Sequence, residues 1–102
     1  MKPARFHPEA LEEYDQGLAY YAGKVDDDLA AQFRGAVETV RDRARETPKL
    51  YAEDEETGCR EALVRGFPYS LHCPELDDYI WVVAVAHHRR RPRYWVNRLR
   101  RK

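Results

Sequence analysis

Apolar positions recur along this chain with two different periods, and the switch between them divides it into a helical half and a strand half. Residues Ala4 to His7 alternate weakly and run into Pro8, a pattern that predicts a short first strand giving way to a helix. Pro8 suits the first helical turn, where its missing N–H is no loss, and Glu9, Glu12 and Glu13 favour the positive end of the helix dipole. Leu11, Tyr14, Leu18 and Tyr21 then recur at spacings of three and four as one apolar stripe, with Gly23 as the expected stop. The acidic triplet Asp26, Asp27 and Asp28 predicts the cap of a second helix. Its stripe is Leu29, Phe33, Ala36, Val37, Val40 and Ala44; Arg41, Arg43 and Arg45 suit its C-terminal end, and Pro48 closes it. Two amphipathic helices joined by so short a link predict an antiparallel hairpin, on which Glu12 and Glu13 read as exposed.

Beyond Pro48 the period becomes two. Glu53 to Glu56 with Gly58 reads as a surface loop, Cys59 to Arg65 as a strand, Gly66-Phe67-Pro68 as a turn and Tyr69 to Cys73 as the hairpin partner. Tyr79 to His87 is the strongest strand, with Ile80, Val82, Ala84 and Ala86 on one face and Trp81, Val83 and Val85 on the other. Apolar side chains on both faces predict a central strand covered twice, by the helices on one side and by the segment around Trp95 or a partner on the other. The fold class is therefore α+β: an N-terminal strand, an antiparallel helical hairpin packed on a mostly antiparallel sheet, and a short basic C-terminal helix or arm.

Length and charge sharpen this picture. The 102 residues make a single domain, 1–102, with no repeat or linker. The apolar run from Tyr79 to Ala86 is far short of the ~20 residues that span a bilayer, and no apolar stretch near Met1 has the form of a secretory signal. No membrane association is expected. Cys59 and Cys73 are too few for a disulfide framework, which points to a reducing cytoplasm. The formal net charge is zero, yet residues 1–88 carry 10 basic and 18 acidic side chains, whereas Arg89 to Lys102 holds seven arginines, one lysine and no acid. A net of −8 against +8 predicts an anionic partner for the tail, nucleic acid or an acidic protein segment; the plainer reading is a solvated basic end. Left unpaired, such a tail repels itself and is expected to be mobile.

Most site chemistries find no support. Cys59, His72, Cys73, His87 and His88 lack the local spacings of a zinc site, and adjacent strand residues face opposite ways, so no metal or cofactor is expected. Ser70 is the sole serine and lies in no nucleophile elbow; the five glycines form no phosphate loop. What remains is the C-terminal third, where arginines alternate with Tyr94 and Trp95 beside His87 and His88. Residue types alone leave open whether this segment binds phosphates and stacks on bases or packs on the sheet through cation–π contacts.

The residues also carry a family pattern. Phe6-x-Pro8-Glu9-Ala10, Glu13, Tyr20-Tyr21, Leu29-Ala30 and Phe33 resemble the opening of the RelE/ParE toxin family. The likeness continues through Gly58-Cys59-Arg60, Arg65-x-Phe67-Pro68-Tyr69, Val83-Ala84-Val85-Ala86-His87 and Arg91-Pro92-x-Tyr94-Trp95 with Arg98. It implies a RelE/ParE-like fold and the toxin of a type II toxin–antitoxin pair of the plasmid-stabilisation type, held by a cognate antitoxin. One branch of the family cleaves messenger RNA on the ribosome with basic residues on the central strands and a C-terminal tyrosine; the ParE-like branch poisons DNA gyrase. Where the ribonuclease branch commonly has an arginine after the third-strand tyrosine, Tyr69 is followed by Ser70, and Glu61 and Leu63 replace the expected lysines. An acid there repels phosphate. Tyr94 does stand at the place of the C-terminal tyrosine and His88 near another basic position, while the Arg91-Pro92-x-Tyr94-Trp95 ending is closer to the ParE side.

The resemblance thus implies a gyrase inhibitor acting by binding, with Arg60, Arg65, Arg89, Arg91, Arg93, Tyr94, Trp95 and Arg98 as contacts for target or antitoxin. Operator DNA would be met only through the antitoxin complex. The alternative is a ribosome-dependent mRNA endoribonuclease working through His87, His88, Arg89 and Tyr94. A third reading is a degenerate antitoxin-binding module.

Overall fold

The computed structural model describes residues 1–100; Arg101 and Lys102, the end of the basic tail, lie outside them. The order of elements is β1 (Ala4–Phe6), α1 (Pro8–Lys24), α2 (Asp27–Glu46), a 3-10 turn (Pro48–Leu50), β2 (Cys59–Val64), β3 (Tyr69–Pro74), β4 (Ile80–Val82), β5 (Ala84–His87) and a second 3-10 turn (Val96–Arg100). This is the expected α+β architecture. Among the described residues no helix is long and apolar enough to cross a membrane.

Helix α1 starts on Pro8, with His7 Nδ1 accepting from the Glu9 amide at 3.0 Å. Its buried face is Ala10, Gly17 and Tyr21 flanked by Tyr14 and Leu18, so three of the expected stripe positions face the core, while Ala10 takes the place of Leu11, which is 46% exposed. The small residues explain the exchange. A Cβ at Gly17 would stand 2.8 Å from Phe33 Cε2, so glycine lets the two helices approach. Gly23 does not stop the helix, which runs on to Lys24; the link turns where the Val25 and Asp26 amides both donate to the Tyr21 carbonyl. Asp26 Oδ1 then caps α2 by accepting from the Leu29 amide at 2.7 Å. Phe33, Val37, Val40 and Ala44 are buried as the period predicts. The Phe33 ring is fully enclosed, with the rings of Tyr14, Tyr21, Phe67 and Tyr69 at centroid distances of 5.9, 5.2, 5.1 and 4.9 Å.

β2, β3 and β5 form an antiparallel ladder in that order, while β1 pairs in parallel with β4. The expected single strand over Tyr79 to His87 is therefore two. Both Val83 and Ala84 oppose His72: the Val83 amide donates to the His72 carbonyl at 2.9 Å, and Ala84 is the paired residue in the ladder. Two residues against one is a β-bulge, and it resets which side chains face which way. Ile80, Val82 and Val85 join the core beneath the helices, whereas Trp81, Val83, Ala84 and Ala86 pack on the opposite side. The assignment of Ala84 and Ala86 to the helix side and of Val85 to the far side is thereby corrected, because strict alternation holds only up to the bulge.

Candidate functional site

The far side of the sheet is closed by residues 88–100, which form a strap of successive tight turns. The Arg90, Tyr94, Val96 and Arg98 amides donate to the carbonyls of His87, Arg91, Arg93 and Trp95. Trp95 is only 3% exposed; it packs with Cys59, Trp81, Val83, Ala84 and Ala86 and stacks on the His72 ring at 4.5 Å. Cover for the second face by the segment around Trp95 is thus present in the chain itself. Expected as a surface contact, Trp95 is instead a core residue.

The strap is fastened by charge. β1 ends at Phe6 as the chain turns into α1, so β5 has no strand on its outer edge and two buried backbone groups there need other partners. Glu13 Oε1 accepts from the Val85 amide at 3.0 Å, and Arg98 Nη1 donates to the Val83 carbonyl at 2.9 Å. The same two side chains grip each other, Arg98 Nη1 to Glu13 Oε1 at 2.9 Å and Nη2 to Oε2 at 3.0 Å. The Tyr94 hydroxyl also donates to Glu13 Oε2, and the Arg90 guanidinium lies 3.8 Å from the Tyr94 ring centroid. Arg98 Nε adds a pair with Glu9 at 3.1 Å. Both Glu13 and Arg98 are 11% exposed at the side chain, which corrects the expectation of an exposed Glu13. Its place could have been read from Ala10, Glu13 and Gly17, which share one helix face at spacings of three and four.

At its other end Arg93 adopts φ 61°, a left-handed conformation unusual for a side chain of this size, and pairs with Asp54 at 2.8 Å and with Glu56. A freely mobile, self-repelling tail is thus not what the described residues form. The acidic excess of residues 1–88 supplies counter-charges for Arg90, Arg93 and Arg98.

Between strap and sheet lies an open groove of about 660 Å³. β2 and the loop before it contribute Glu53, Asp54, Glu61 and Leu63, whereas the end of β5 and the strap contribute His87, His88, Arg90, Arg91, Arg93 and Tyr94. His87 and His88 therefore share a groove with Tyr94, whereas Arg89 is exposed outside its lining. Burial, then the neighbouring Arg89 and His88 charges, hold His87 below its ordinary pKa, and its Nδ1 accepts from the Arg89 amide at 3.1 Å. His88 Nε2 lies 2.9 Å from Ser70 Oγ, but Ser70 is fully buried, so this hydroxyl braces the ring and is not an accessible nucleophile. Burial and the Glu13 carboxylate push the Tyr94 phenol above its ordinary pKa, and its proton is committed to the hydrogen bond with Glu13.

The remaining expected contacts separate by environment. Arg60 points toward the helices, donating from Nη1 to the Tyr51 carbonyl at 2.7 Å and pairing with Glu53 at 3.2 Å. Arg65, Arg89 and Arg91 are exposed and make no ion pair among the described residues. Cys59 and Cys73 are buried and free, on opposite sides of the sheet; burial pushes the Cys59 thiol up to about 11 and Cys73 higher still. Among the described residues no three His, Cys, Asp or Glu side chains gather as metal ligands would.

A strand, a helical hairpin and an antiparallel sheet strapped by an arginine-rich segment define a small α+β domain with a charged groove on its strap side. Residues 4–92 match the family described as the ParE toxin of the type II toxin–antitoxin system parDE, and the chain belongs to that family. Among solved structures it resembles one titled "Chromosomal ParDE TA system from P. aeruginosa", with a TM-score of 0.73 and 13% identity over 85% of this chain and 96% of that one. At that identity the likeness is one of fold. No curated protein matches the chain.

Proposed function

We propose that this ParE-family toxin acts in the cytoplasm by binding DNA gyrase and trapping its cleaved-DNA state, and that a cognate antitoxin neutralises it and carries the complex to operator DNA. The observation that carries a binding over a cleaving role is the state of Tyr94. A tyrosine that must exchange protons with RNA is held here as a hydrogen-bond donor to the Glu13 carboxylate, with Arg98 committed to the same carboxylate. The groove beside it also has Glu61 along its lining, a carboxylate with no ion pair among the described residues, and its charge opposes a phosphodiester transition state. Arg89, Arg91 and Arg100 make no ion pair among the described residues, and Arg89 and Arg91, nearest the groove, are the contacts this reading assigns to an anionic partner surface.

The test incubates the purified protein with gyrase and supercoiled plasmid, and in parallel with translating ribosomes. Accumulated cleavage complexes, reduced in an Arg89→Ala/Arg91→Ala variant that keeps its fold, are the expected result. Codon-linked mRNA cuts would overturn the proposal in favour of the ribonuclease. Inactivity in both assays would leave only the antitoxin-binding module.

A further inference from the structure

We infer that Glu13 is the latch of a movable C-terminal strap: one buried carboxylate that fastens residues 90–98 in place of a missing sheet strand and so positions the arginines the strap presents. The fold creates the need for it. β1 stops at Phe6, and beyond that point the Val83 carbonyl and Val85 amide on the edge of β5 have no strand partner, although both residues are buried. Buried backbone groups left unpaired are costly, and in most sheets a further strand would satisfy them. Here a carboxylate from α1 takes the amide and a guanidinium from the strap takes the carbonyl, and the two side chains join each other in a two-bond fork.

Three strap side chains converge on Glu13, through the Arg98 fork, the Tyr94 hydroxyl and, at 3.9 Å, the Arg90 guanidinium, while Arg98 alone reaches further, to the Val83 carbonyl and Glu9. The apolar share is small by comparison. Trp95 is the one strap residue fully inserted, while Val96 is 41% exposed and Leu99 half-buried. At the far end Arg93 holds a left-handed backbone and pairs with half-buried Asp54 and exposed Glu56. On this inference the strap has two states, seated while Glu13 holds its partners and lifted when it does not. Lifting it uncovers the Trp81, Val83, Ala84 and Ala86 face without disturbing the Phe33 core on the other side.

The consequence for function rests on the gyrase reading above. Arg89 lies just before the latched residues and Arg91 among them, so their placement follows the strap, and Glu13 acts on the target only through them as a positioning residue. The experiment is amide hydrogen exchange of the whole protein and of Glu13→Gln, whose NH2 would face the Arg98 donors with donors of its own. The expected result is exchange at Tyr94, Val96, Arg98 and Val85 faster by about tenfold or more, with Leu71 and Cys73 in the central strand changed less than about twofold. An equal rise everywhere, or none at the strap, would overturn the latch. If Glu13→Gln does not fold, Tyr94→Phe asks the same question with one bond fewer: a smaller rise confined to the strap supports the latch, and a uniform or absent one overturns it. Gyrase cleavage is read on the same samples. A wild-type protein without gyrase activity refutes the target while leaving the exchange result to decide the latch. An active wild type with selectively loosened strap amides but undiminished Glu13→Gln activity refutes the positioning role.

Discussion

The two faces of the sheet are closed by different forces. Under the helices, Phe33 is surrounded by Tyr14, Tyr21, Phe67 and Tyr69 and backed by Val37, Val40, Leu71, Val82 and Val85, a large apolar cluster. Under the strap the apolar cluster is smaller, with Trp95 over Cys59, Trp81, Val83, Ala84 and Ala86, and it is held down by Glu13, Arg98 and Tyr94. Apolar burial is proportional to area and indifferent to direction, so the helix side gains stability from every residue and is lost only with the fold. Charge-assisted hydrogen bonds are few and directional, so the strap side depends on a handful of atoms. A small toxin built this way can keep a firm body while its basic segment answers to a partner.

The sharpest way to break the comparison is to remove the centre of the helix-side cluster. Phe33→Ala empties a site with no exposure and several aromatic neighbours, and should cost about 3–5 kcal/mol, read as a lower urea midpoint with all probes moving together. A loss under ~1 kcal/mol would mean that this side does not carry the fold. Gly17→Ala approaches the same ring from α1. Alanine favours the helix by ~1 kcal/mol, but its Cβ would meet Phe33 Cε2 at 2.8 Å, and the surrounding rings leave Phe33 little room to retreat. Overpacking of this kind typically costs ~1–3 kcal/mol, so a net destabilisation is expected in thermal unfolding. A raised melting temperature would show the helix contact to be looser than its distances indicate.

The same division marks what the sequence disclosed. Area-driven features were legible because they repeat: the stripe of α2, the β2–β3 hairpin and the two-sided burial of residues 80–86 all follow from periodicity. Position-specific features were not. Hydropathy favours Leu11 over Ala10 and Gly17 because it rewards large side chains, whereas close helix approach rewards small ones. The bulge at Val83 left no mark in a run of valines and alanines, since every residue in it is apolar in either phase. Glu13 reads as exposed because a glutamate on a helix usually faces water, and its buried role exists only once the strand edge and Arg98 are brought to it from 70 and more residues away. The tail's charge was legible; its counter-charges were a matter of folding.

A gentler effect, and one that sharpens the contrast, is expected from pH. His72 stacks on Trp95 from the strap side of β3, opposite Glu61 in the ladder, and burial is the main force holding it below its ordinary pKa of 6.5, against smaller upward pulls from Glu61, Glu13 and Asp54. The sign follows from linkage. As pH falls through 6.5 the unfolded chain takes up the proton first, so stability present above that pH is lost progressively until the folded-state pKa is passed. His87, lowered in the same direction, adds to the slope. Urea unfolding of the wild type should therefore weaken between pH 7 and pH 5, and His72→Gln should show a shallower decline because it has no proton to bind. Native-state fluorescence, to which Trp95 on the stacked ring contributes, should titrate below pH 6.5 in the wild type and lose that dependence in the variant. If the two proteins weaken in parallel, His72 is not buried by the strap at equilibrium, and the strap side is more open than its packing indicates.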